Sequence, residues 1–127
     1  MKNQIIGSWL LKSFLIESQQ GEFRQWGANS QGLLLYTDTG HMSVSINKDV
    51  ENKSTVEVQN IFDSILFYSG TYSVDGSNIK HIVTQASKPS RIGKELLRTA
   101  TLEGNLLTLT SPPESFGRAI LKWRKIT

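Results

Sequence analysis

Five side chains in this sequence have the chemistry to recognise or move charge inside an apolar interior: His81, Arg98, Tyr36, Tyr68 and Tyr72. In the segment 78–84, Lys80 claims the solvent face, so strand alternation turns Ile79, His81 and Val83 inward. The same alternation turns Leu96, Arg98, Ala100 and Leu102 inward along 94–102. An inward guanidinium can hold a carboxylate or enolate through two parallel hydrogen bonds. It is costly there unless something balances its charge, and Glu17, Asp63 and Glu95 are the internal candidates. An imidazole beside it can donate, accept or move a proton near neutral pH. The candidate ligand site is therefore Tyr36, Met42, Tyr68, Tyr72, His81 and Arg98, with Trp26, an aromatic in a polar loop, at the rim. The plainer reading is structural: His81 as a satisfied core histidine, and Arg98 in an ion pair that no ligand sees.

For these side chains to meet, the elements that carry them must curl around a common interior. Residues 7–17 form a first strand and 18–31 a polar loop; 32–37 and 41–46 are strands about the Asp38-Thr39-Gly40 turn. Ser54 and Glu57 fit a capping box, and Val58, Ile61, Phe62 and Ile65 follow at helical spacing, which predicts one short helix over 55–66. Hairpins follow at Asp75-Gly76, joining 67–74 to 78–84, and at Glu103-Gly104, joining 94–102 to 105–110. Residues 85–93 and 114–117 read as loops, Pro112-Pro113 ends a strand, and 118–125 is the last. The expectation is all-β: eight antiparallel strands in a single domain over 1–127, closed into a barrel because closure removes both sheet edges. Trp9 near one end and Trp123 with Arg124 near the other are the residues for that closure, with Arg124 stacking on Trp9. In the first strand, Trp9, Leu11 and Ser13 face in, which leaves Leu10, Phe14 and Ile16 outside. A strand apolar on both faces is the motive for a homodimer, or for a structural or protein-interaction module.

Composition removes several classes. The 14 basic residues against 11 acidic are scattered, apart from Lys122-Trp123-Arg124-Lys125, so nucleic acid is not an expected partner. With no cysteine there are no disulfides, thiol nucleophiles or thiolate-bound metals. Two histidines forty residues apart make a weak case for a metal, with His81 and a carboxylate the remaining option, and no metal site is expected. No phosphate-binding glycine loop or nucleophile elbow occurs, and no cofactor is expected. No stretch is long and apolar enough to span a membrane, and Gly7, Ser8, Lys12 and Ser13 break the one that might export the chain, so the expected location is cytoplasmic.

Gly7-Ser8-Trp9 resembles the Gly-x-Trp motif of lipocalins. Four further segments resemble, in order, the bacterial and fungal lipocalin-like domain family: Gly32 to Ser43 (GLLLYTDTGHMS), Tyr68 to Gly76 (YSGTYSVDG), Leu107 to Pro113 (LTLTSPP) and Leu121 to Arg124 (LKWR). The resemblance implies a short calycin-type barrel that binds a small lipophilic molecule. The expected function is lumenal binding of such a molecule, with an anionic group at Arg98. The alternative is an isomerase or cyclase in which His81 moves a proton and Arg98 or a tyrosine stabilises negative charge.

Overall fold

The structure is a computed structural model that describes residues 1–27, 29–48 and 65–126. Its strands are β1 (Gly7–Glu17), β2 (Phe23–Gln25), β3 (Gln31–Tyr36), β4 (His41–Asn47), β5 (Ile65–Asp75), β6 (Asn78–Ala86), β7 (Glu95–Glu103), β8 (Leu106–Thr110) and β9 (Arg118–Lys125). Antiparallel pairing runs β1-β3-β4-β5-β6-β7-β8-β9, and β9 returns to β1, so eight strands close a barrel and β2 is an extra strand on β1. The core lies within this ring, where strand alternation turns apolar side chains inward and polar ones outward, most plainly in β4: Met42, Val44 and Ile46 are buried while His41, Ser45 and Asn47 are exposed.

β2 falls in the polar segment expected to be loop. It has no alternation of its own; β1 supplies the pairing, with Leu15 opposite Gln25 and Glu17 opposite Phe23. β3 pairs with the other half of β1, from Gly7 opposite Tyr36 to Leu10 opposite Leu33. β2 and β3 are thus two halves of one interrupted strand. The expected helix over 55–66 lies mostly outside the described residues; its last two positions, Ile65 and Leu66, begin β5.

Two irregularities set which side chains reach the interior. In β1 the register to β9 slips between Leu11 and Ser13, leaving Lys12 as a bulge. The slip moves the inward set by one position, so Phe14 and Ile16 are buried and only Leu10, 46% exposed, stays outside. The expectation that Phe14 and Ile16 face solvent is therefore corrected. A second slip, between Ser69 and Gly70, leaves Thr84 unpaired in β6. There β5 and β6 approach so closely that a Cβ on Gly70 would collide with the Ile82 carbonyl.

One end of the barrel is shut by a helical turn, α1 (Lys2–Ile5). Ile5 is fully buried, and the Trp9 indole N–H donates to its carbonyl at 2.8 Å. The cation over Trp9 is Lys125, with Nζ 5.5 Å from the ring centroid. It is not Arg124: with Trp123 turned inward, alternation sends Arg124 outward, and its side chain is exposed.

Candidate functional site

The far half of β1 and the start of β9 lie at the end away from Trp9 and Lys125, since the two strands are antiparallel. A cavity of about 270 Å³ opens there. Phe14 and Ile16 from β1, Leu34, Val44 and Ile46 from β3 and β4, and Leu96, Leu109 and Leu121 from β7, β8 and β9 form its apolar wall. Trp123 is also part of the lining; its indole N–H is buried and has no acceptor among the described residues.

Four polar or aromatic residues expected at the site do line this cavity: Tyr68, His81, Arg98 and Trp26. Three do not. Met42 is packed into the core away from it, Tyr36 lies behind His81, and Tyr72 lies beyond Tyr36 with its hydroxyl donating to the Thr37 carbonyl at 2.7 Å. The Tyr36 and Tyr72 rings meet edge to face at 4.7 Å.

His81 is held on both ring nitrogens. The Tyr36 hydroxyl is 2.6 Å from Nε2 and the Tyr68 hydroxyl 2.7 Å from Nδ1. Burial, and then the nearby charge of Arg98, lower the His81 pKa to about 3, so the imidazole is neutral at physiological pH. Burial raises the Tyr68 phenol above its ordinary range against the opposing pull of Arg98. It raises Tyr36 further, aided by Tyr68. Both hydroxyls therefore keep their protons.

Arg98 is half-buried and donates through Nη1 to the Leu97 carbonyl at 2.7 Å. Among the described residues it has no carboxylate partner. Of the internal candidates, Glu17 pairs with Arg118 and Glu95 with Lys80, while Asp63 lies outside the described residues. At the mouth, Trp26 stacks on Phe14 with centroids 4.9 Å apart, and Lys48 Nζ sits 5.4 Å from the Trp26 ring. Arg91, Glu114 and Phe116 complete the rim. These three come from segments read as loops, which carry no parity to follow. Phe14 and Ile16 were hidden by the bulge at Lys12. Among the described residues no three acidic or histidine side chains gather to hold a metal, and no helix is long and apolar enough to cross a membrane.

An eight-stranded antiparallel barrel, plugged at one end by α1 and hollow towards the other, is the calycin type of architecture. The family model of the lipocalin-like domain matches residues 6–126, and the chain belongs to that family. Among solved structures, a redesigned β-barrel superposes with a TM-score of 0.53 at 9% identity, covering 99% of this chain and 95% of its own. A point variant of the fluorescent protein UnaG gives a TM-score of 0.49 at 13% identity, covering 100% of this chain and 99% of its own. These likenesses concern the fold. No curated protein sequence matches the chain.

Proposed function

We propose that the barrel binds a small, mostly apolar molecule in its lumen, with an anionic or strongly hydrogen-bond-accepting group placed at Arg98. The observation that carries this reading is the Arg98 guanidinium, half-buried in an apolar cavity without a carboxylate partner among the described residues. A cation in that setting is costly until an anion meets it. The Trp123 N–H, without an acceptor among the described residues, and the Arg91 and Lys48 cations towards the mouth favour the same ligand chemistry. A cavity of about 270 Å³ suits a single compact molecule of one or two rings. The lack of cysteine fits a cytoplasmic setting.

Native mass spectrometry of protein from its source host tests this directly, and the expected result is a co-purified small acid. With naphthalene carboxylate as a probe, Arg98→Met should weaken binding by about tenfold or more, the loss expected for a charge-assisted hydrogen bond. Unchanged affinity in that variant would overturn the placement of the anion.

A proton-transfer enzyme is the second reading, favoured by the fact that His81 and Arg98 line one cavity. With both imidazole nitrogens taken by tyrosines, the group that would meet a substrate is Tyr68 rather than His81. The interaction-module and homodimer readings lose much of their motive, because the bulge at Lys12 puts Phe14 and Ile16 inside.

A further inference from the structure

A neutral imidazole has one N–H and one bare nitrogen. With a tyrosine hydroxyl on each nitrogen of His81, one tyrosine must donate and the other must accept. Tyr36 is 1% exposed, does not line the cavity, and has His81 as the only partner of its hydroxyl among the described residues. If Tyr36 accepted, its own proton would be buried with nowhere to go, the costly case for a polar group. Tyr68 differs, because it lines the cavity, where its proton can find an acceptor on a guest. The low-cost arrangement runs one way: Tyr36 O–H donates to Nε2, Nδ1–H donates to the Tyr68 oxygen, and the Tyr68 O–H is left pointing to the lumen.

We propose that Tyr68 is the lumen's hydrogen-bond donor to an acceptor oxygen of the ligand, a carbonyl or carboxylate, and that Tyr36 fixes this polarity through His81 without touching the ligand. Tyr36 is thus a positioning residue that makes the site prefer acceptors and reject molecules presenting a donor at that point. The inference rests on the lumen-binding reading for its ligand, but not for its tautomer.

Heteronuclear NMR of isotopically labelled, ligand-free protein near neutral pH reports which ring nitrogen of His81 carries the proton. The expected result is protonation at Nδ1; protonation at Nε2 would overturn the proposal. Tyr36→Phe removes the donor that selects the tautomer, so the ring nitrogen shifts should move towards a mixture. Unmoved shifts in a folded variant would count against Tyr36, and if the variant fails to fold, the wild-type spectrum still decides. For the ligand, a methyl naphthyl ketone is compared with the matching isopropenyl naphthalene, which lacks the oxygen. The wild type should favour the ketone by about fivefold, and Tyr68→Phe should erase the preference. Equal binding of the two by the wild type would overturn the donor role of Tyr68. If neither compound binds, the lumen-binding reading fails, while the tautomer stands or falls on the spectrum alone.

Discussion

His81 was legible from the sequence by one argument, that Lys80 beside it must face water. Its burial at 1% exposure follows that parity. What parity cannot reveal is the company it keeps. Tyr36 and Tyr68 are 45 and 13 residues away, and they meet the imidazole only because the ring of strands brings β3, β5 and β6 around one interior. The same holds for Arg98: its inward position could be read from alternation, but not the diversion of Glu17 to Arg118 and of Glu95 to Lys80. The buried histidine has a consequence for stability. Its pKa falls from the ordinary 6.5 to about 3 on folding, so between these values the unfolded chain binds the extra proton. Stability is full above about pH 6.5 and is lost as the pH falls towards 3, at up to about 1.4 kcal/mol per unit. Denaturant titrations across that window should show this slope, and His81→Gln should flatten it. An unchanged slope would mean that the histidine is not the group being protonated.

Most strand spans could be read because runs of apolar and polar residues are bounded by turn residues; β1 and β9 occupy the expected spans. The elements that escaped are those whose form is imposed by a neighbour. β2 is polar on every residue but Phe23 and exists because β1 offers it a ladder. The bulge at Lys12 leaves no mark in residue type, yet it decides which side chains of the far half of β1 face the cavity. The bulge at Thr84 does have a correlate, in Gly70 opposite, whose missing side chain lets the backbones close up. Gly70→Ala should therefore destabilise the barrel by about 2 kcal/mol or more, as expected when added volume must displace backbone. Gly76→Ala, with open space around its Cβ and φ of +61°, should cost about 1 kcal/mol from left-handed backbone alone. Equal melting temperatures for the two variants would refute the close-approach argument.

At the scale of the whole molecule, the closure of the barrel was foreshadowed by its two ends. β1 and β9 do pair, Leu11 lies opposite Trp123, and the Trp9 end is sealed, so the hollow end is the other one. The plug at the Trp9 end is α1 at the N-terminus, because Ile5 reaches a site that Trp9 builds for it; the helix expected over 55–66 lies mostly outside the described residues.

The seam between β1 and β9 also predicts an order of events in folding. It joins Trp9 to Lys125, the strand pairing of greatest sequence separation among the described residues, and loop-closure entropy disfavours forming such contacts early. Until the ninth strand docks, the ring is open and the chamber has no wall along that side. In that order, a guest of the proposed kind would find no chamber in the folding transition state and would act only on the finished molecule. Stopped-flow measurements with a bound probe should accordingly show slower unfolding and an unchanged refolding rate. Refolding accelerated by the probe would mean that the chamber forms before the seam.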